Sequence, residues 1–493
     1  NQIIIATDAG REGELVARWI LEKSECKKPI KRLWISSVTD KAIREGFANL
    51  RDGRAYNNLY HAAKARAEAD WLVGINATRA MTCKYNAQLS CGRVQTPTLA
   101  MVAHREKEIR SFVPKEYYGM QILSGGVRFT WKDAKSSGYC TFQKQRMDEI
   151  EKKVKAEIKS GKKMIIKEVK TTAKKTFAPG LYDLTELQRD ANKRFGYSAK
   201  ETLNIMQRLY ESHKVLTYPR TDSRYITTDV ADTLKERLKA CSVGPYRKLA
   251  GSLSMRPIRK NASFVDNKKV TDHHAIIPTE QFVDLQTMTN EERKVYDLVV
   301  RRFLAVLLPA FEYDQTVFTG GLAGESFTAK GKIVKSQGWK EAYENLETDE
   351  EWEEADDLAA APKEQTLPSV KKGDSMPVAK VTVTTGTPPA YFTEATLLSA
   401  MENPVRYMES KDAKAAKTLG ETGGLGTVAT RADIIDKLFN SFLMEKKGNE
   451  IHVTGKGKQL LELVRTEETG ADGSLGNETF RHCKRKLTGK SIY

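Results

Sequence analysis

A short apolar run, Gln2-Ile3-Ile4-Ile5-Ala6-Thr7, breaks into Asp8-Ala9-Gly10-Arg11-Glu12-Gly13-Glu14 and then into an amphipathic stretch over residues 15–23. An apolar run without alternation, cut by a turn and followed by helical periodicity, is the pattern of a strand buried on both faces. Such a strand requires a parallel sheet covered by helices, so the chain opens as α/β. Residues 31–35 read as a second strand and residues 40–50 as a second helix. Ligands in open α/β sheets gather at the carboxyl ends of strands, which places Asp8 and Glu12 for a metal. Mg²⁺ takes one or two protein carboxylates and completes its shell with water and phosphate oxygens. The same acids also suit a helix N-terminus favoured by the macrodipole, and their spacing alone does not choose.

The chain has 493 residues, too many for one core, and divides into about three or four domains. Its net charge of +17 suits a polyanion, and because the basic residues are spread along the whole chain, nucleic acid fits better than a membrane surface. No apolar span is long enough to cross a bilayer, and the N-terminus reads as no signal peptide. Cys26, Cys83, Cys91, Cys140, Cys241 and Cys483 lie far apart with no Cys-x-x-Cys pair, which argues against zinc and for reduced thiols in cytosol. No phosphate-binding Gly-x-x-x-x-Gly-Lys-[Ser/Thr] occurs, so no ATP site is expected.

Val215-Leu216-Thr217-Tyr218-Pro219-Arg220-Thr221-Asp222-Ser223-Arg224 delivers a tyrosine into a turn, because Pro219 forces the residue before it toward an extended conformation. The phenol is expected to be presented rather than packed. Arg220 and Arg224 can grip a phosphate oxygen and favour the phenolate. Surface arginines beside a strand-end tyrosine are the plainer reading of this stretch taken alone.

Residues 55–106 are helical in pattern. One stripe carries Asp70, Trp71 and Arg79, and Ser90-Cys91-Gly92-Arg93-Val94-Gln95-Thr96-Pro97 follows it. Gly92 permits close backbone approach, while Arg93 and Gln95 offer donors beside a helix start, a combination suited to a phosphate backbone. Residues 117–129, 139–142 and 164–169 read as strands, with a charged helix over 147–159. Helices are expected from Asp183 or Thr185 and from Ser198 to Ser212. Asp272-His273-His274-Ala275 follows, and adjacent histidines in an extended chain face opposite ways, so one of them at most serves a given site. Strands return at 315–322 and 326–334, and nine acids crowd residues 344–357 as a solvated connector. A capped helix is expected after residues 387–393, and Gly423-Gly424-Leu425-Gly426 leading to Thr430 and Arg431 makes a second anion-friendly turn. Residues 439–455 read as a helix and hairpin.

Taken together, 92-GRVQTPTL-99, 181-LYDLTELQ-188, 218-YPRTD-222 and 272-DHHAIIP-278, with the acid turn, closely resemble the type IA DNA topoisomerases and in detail the bacterial topoisomerase III branch. The resemblance spans roughly residues 2–464. It implies a multidomain α/β and α+β torus: a partial Toprim domain (1–50), a helical single-strand-binding domain (51–112 with 386–464), a β-rich arch (113–180 with 283–385), a tyrosine-bearing domain (181–282) and an unassigned tail (465–493). It further implies ATP-independent, Mg²⁺-dependent cleavage of one DNA strand through a 5′-phosphotyrosyl link, then strand passage and resealing, which relaxes negative supercoils and unlinks DNA. Tyr218 would be the nucleophile, with Arg220, Glu12 and His273 as its catalytic company and Asp8 and Glu12 as metal ligands. Asp70, Trp71, Arg79, Ser90, Cys91, Gly92, Arg93, Val94, Gln95, Arg220, Thr430 and Arg431 would contact DNA, chiefly single-stranded or underwound. A cytoplasmic monomer, partnered by a RecQ-type helicase, is implied as well.

Two departures stand out. Gly10 holds the place of the middle acid of the Toprim signature, so a reduced metal shell is expected. The strand that precedes this signature in the family is not present, so a truncated chain that binds single strands but cleaves poorly is expected. A catalytically impaired single-strand-binding remnant is the alternative reading.

Overall fold

The computed structural model describes residues 2–37, 39–112, 117–258, 261–344, 371–384, 390–407 and 423–469, with isolated positions between 362 and 420. They fall into two compact units: Asn1–Arg110 with Gly180–Phe303 and Ala390–Tyr493, and Ser111–Pro179 with Leu304–Pro389. Most of the acidic run 344–357, the turn 387–389 and the tail from 470 lie outside the described residues.

The first unit opens as the apolar run requires. β1 (Ile3–Ile5) lies parallel to β2 (Ile30–Arg32), and β3 (Arg51–Asp52) pairs antiparallel on the far side of β2. α1 (Arg11–Lys23) begins four residues before the amphipathic stretch. Gly13 permits this early start, since a Cβ there would strike the Asp8 backbone. α2 (Asp40–Ala48) is capped by Thr39, whose hydroxyl accepts from the Ala42 amide. α3 (Asn57–Tyr85) runs 29 residues yet buries only Tyr60, Ala63 and Met81, leaving Trp71 and Leu72 exposed.

α4 (Gln95–Ser111) packs with the helices Glu394–Glu402, Arg431–Asn440 and Gly455–Thr469. The hairpin Met444–Lys447/Glu450–Val453 completes a core that includes Leu99, Val102, Leu398, Met401, Ile435 and Ile451. Of the two starts the sequence allows, Asp183 caps helix Leu184–Phe195, and Ala199–Glu211, expected from Ser198, begins with a Ser198/Glu201 capping box.

The second unit is a mostly antiparallel sheet. In order its main strands are Ser375–Met376, Met164–Thr176, Phe311–Leu322, Glu325–Ser336, Val127–Lys132, Gly119–Ser124 and Val378–Thr384, with Glu364–Gln365 added parallel to Glu325–Ser336. Helix Lys144–Lys159 buries Met147, Ile150 and Val154 in the same core as Ile122, Phe129, Trp131 and Phe327. Two sequence expectations change here. Residues 117–129 form a hairpin rather than one strand, because Gly125 and Gly126 take positive φ (56° and 80°) and turn the chain. Residues 139–142 contribute only the Tyr118–Thr141 bridge. No helix among the described residues is long and apolar enough to cross a membrane.

Candidate active site

The tyrosine segment is positioned by a second segment laid alongside it. Thr217 donates its backbone N–H to Ile277 O (3.0 Å) and its hydroxyl to Ala275 O (3.2 Å), and it receives the Ile277 N–H on Oγ1 (3.0 Å). Thr221 Oγ1 donates to His273 O at 2.9 Å. Threonines therefore zip residues 217–221 to 273–277 and bring the Tyr218 and His273 rings to 4.2 Å between centroids. Tyr210 packs edge-on against the same phenol at 5.5 Å.

The phenol is thus half-buried, not simply presented. Burial first, and then the negative charge of Asp8, push its pKa above the ordinary value against the downward pull of Arg220. The expected help from arginine exists but is outweighed by burial. Arg220 is exposed and makes no ion pair among the described residues, so its guanidinium can take a phosphate. Arg224 is otherwise engaged: Asp183 (2.7 Å) and Glu186 (3.3 Å) hold it.

The acid turn faces the same place. His273 Nε2 lies 3.4 Å from Asp8 Oδ2, so one imidazole touches both the phenol ring and the first acid. His274 turns inward, with Nδ1 2.8 Å from Ala275 O; burial lowers its pKa to about 4, and it is the neutral structural member of the pair.

The three acids of the turn divide by environment. The Asp8 and Glu12 side chains are 59% and 68% exposed, Glu12 pairing with Arg66 at 3.0 Å. Glu14 is fully buried between Arg32 (2.9 Å) and Arg18 (2.8 Å). Arg32, buried as well, also donates to the carbonyls of Ile5, Thr7, Leu33 and Asp8 and so braces the turn from beneath. Sequence reading overlooked this Arg32–Glu14 brace. The available signal was an arginine inside a run that otherwise reads as a buried strand.

Gly10 has a spatial reason. A Cβ built there would fall on the Asp272 carboxylate, so an acidic side chain at position 10 and Asp272 compete for one space. Burial, opposed by His273 and reinforced by the charges of Asp222 and Asp8, raises the Asp272 pKa. Among the described residues no group of three or more His, Cys, Asp or Glu is arranged to hold a metal. Asp8 and Glu12, as solvent-open carboxylates, still match the donor chemistry of Mg²⁺, which needs few protein ligands.

Several of the remaining predicted residues are occupied. Arg93 forms a two-pronged pair with Asp70 (2.5 and 2.9 Å), a contact that lowers the Asp70 pKa. Trp71 is 64% exposed and Arg79 is exposed. Gln95 is buried and donates to Ser90 O (2.8 Å) and Ser90 Oγ (3.0 Å), while the Cys91 and Gly92 amides are met by the hydroxyls of Thr78 (3.0 Å) and Thr96 (3.1 Å). Val94 is half-buried against the helical core. Thr430 Oγ1 accepts from the Thr427 amide at 3.0 Å. Arg431 is only 3% exposed and donates to Gly423 O (2.5 Å), Leu425 O (3.1 Å) and Thr185 Oγ1 (3.1 Å), so it clamps the glycine turn from inside.

A family model described as DNA topoisomerase matches residues 54–475. The chain belongs to the type IA DNA topoisomerase family. It is 59% identical to DNA topoisomerase 3 of Bacillus subtilis (strain 168), over 94% of this chain and 62% of that protein. It is also 59% identical to DNA topoisomerase 3 of Bacillus cereus (strain ATCC 10987 / NRS 248), over 95% and 63%. The chain therefore spans somewhat under two thirds of the length of these topoisomerase III relatives. The full-length topoisomerase I structure from Thermotoga maritima superposes with a TM-score of 0.68 at 23% identity, covering 98% of this chain and 74% of that one, and so shares the fold.

Proposed function

We propose that this topoisomerase III relative cleaves one DNA strand with Tyr218, passes DNA through the gap and reseals it without ATP. The observation that carries this reading is the convergence of Tyr218, His273, Asp8 and Arg220, which makes no ion pair among the described residues, in one solvent-accessible place. The Tyr218 oxygen attacks the scissile phosphorus, the P–O3′ bond breaks, and the 3′-oxygen leaves as a hydroxyl after taking up a proton. The phenol proton passes to His273 or water. Arg220 spreads the phosphate's developing charge, and its positive charge opposes the burial that raises the phenol pKa. Mg²⁺ held at Asp8 and Glu12 would supply positive charge beside that phosphate. Resealing reverses these steps, and the phosphotyrosyl bond conserves the energy of the broken linkage, so no nucleotide hydrolysis is needed.

Single-stranded or underwound DNA is the substrate. Trp71 supplies a stacking face, Arg79 and Arg93 supply phosphate contacts, and the backbone of Ser90–Val94 follows the strand. Gln95, Thr430 and Arg431 act on DNA by shaping the loops that touch it. In this reading residues 1–50 carry the metal, 51–112 and 386–464 grip the strand, 113–180 and 283–385 form the arch, and 181–282 carry the nucleophile. The protein acts as a monomer in the bacterial cytoplasm, with a RecQ-type helicase as its partner.

The test is a 3′-labelled single strand incubated with the protein and Mg²⁺ and quenched with detergent. Label that migrates with the protein supports the reading. Tight binding without any such adduct would leave a strand-binding remnant.

A further inference from the structure

Three named contacts join the acid-bearing segment (residues 2–52) to the tyrosine-bearing segment. Two lie at the reacting centre: Asp8 against His273, and Asp272 against the Gly10 backbone. The third uses none of the residues assigned to chemistry. In the short helix Thr228–Asp232, a single oxygen of Asp229, Oδ2, accepts from Ser37 Oγ at 2.6 Å and from Thr39 Oγ1 at 2.7 Å. Thr39 simultaneously caps α2, accepting the Ala42 amide at 3.2 Å, so the latch is tied to the start of a helix. Ser37 is buried and Asp229 half-buried. Burial, which would raise the Asp229 pKa, is outweighed by hydroxyl bonds led by Ser37, and the carboxylate stays charged.

We propose that Asp229 is a positioning residue that holds the acid turn closed over Tyr218, and that release of Ser37 and Thr39 from it opens the seam for strand passage. The proposal rests on the cleavage reading above only for the meaning of the opening. The latch itself is a matter of geometry. Its physical suitability is that two charge-assisted hydrogen bonds on one carboxylate are short-ranged and are replaced by water on separation, so the contact is strong when closed and readily remade. An apolar seam would resist repeated opening far more.

Hydrogen–deuterium exchange by mass spectrometry on the full chain tests this in the wild type, Asp229→Ala, Asp229→Asn and Ser37→Ala. With Asp229→Ala, exchange at residues 40–48 and 226–232 should rise about tenfold, the factor for one carboxylate hydrogen bond, while Ala199–Glu211 keeps wild-type protection. Asp229→Asn keeps a carbonyl acceptor and should fall between wild type and Asp229→Ala, and Ser37→Ala should act on the same two segments. Resealing of a trapped adduct should slow in the same order. Unchanged exchange at 40–48 in Asp229→Ala overturns the proposal, and so does an equal rise in Ala199–Glu211, which marks general destabilisation. If the wild type forms no adduct, the cleavage reading fails while the exchange result still decides the latch.

Discussion

The acid turn and the glycine turn before Arg431 both set charged residues beside irregular backbone, yet they use them in opposite ways. At the acid turn the buried charges, Glu14 and Arg32, form a brace that leaves Asp8 and Glu12 in solvent. At the glycine turn the arginine itself is the brace, spent on Gly423, Leu425 and Thr185. A family motif includes residues that touch a ligand and residues that hold the loop, and only burial and partners tell them apart. Removing an ion from water costs several kcal/mol, so a charge buried with all its partners in place is a fixture.

The largest effect expected from this contrast is at Arg32. Arg32→Met leaves Glu14 buried with only Arg18, and should cost about 3–5 kcal/mol in urea unfolding. A loss within experimental error would mean that the turn is not braced from beneath.

The two adjacent histidines repeat the contrast at smaller scale. His274, held at about 4 in the fold against 6.5 when free, remains neutral while the unfolded chain takes up a proton. Its contribution is fully present above pH 6.5 and is lost as pH falls toward 4, by about 3 kcal/mol at most. His274→Gln should flatten this part of the stability–pH curve, whereas His273→Gln should impair cleavage.

Arg431→Met should cost about 1.5–3 kcal/mol of stability through its lost hydrogen bonds, with weaker single-strand binding as a consequence. Weaker binding at unchanged melting temperature would instead make Arg431 a DNA contact and break the comparison. Trp71→Ala should do the reverse, reducing single-strand affinity by about 1–3 kcal/mol in fluorescence titration while the melting temperature stays put.

Much of the local structure is legible in the sequence, because it follows from periodicity and caps. The β1 run, the capped helices at Asp183 and Ser198, and the hairpin after Asn440 are each fixed by residues close in the chain. The candidate site is legible as a set of residue types, since Tyr218, Arg220, Asp8 and His273 stand in recognisable strings. Their division of labour is not. That Arg224 is spent on Asp183, that Gln95 turns inward, and that Gly10 yields its space to Asp272 all depend on partners between 5 and more than 250 residues away. The Asp229 latch joins positions 190 and 192 residues apart, and no local pattern announces it.

The central claim is that one phenol becomes covalently joined to DNA. Digestion of the detergent-quenched adduct, followed by mass spectrometry of the nucleotide-bearing peptide, measures this directly. The account predicts a single modified peptide carrying the phosphate on Tyr218, and none from Tyr218→Phe. A phosphate found on any other residue, or an adduct that survives Tyr218→Phe, would contradict it.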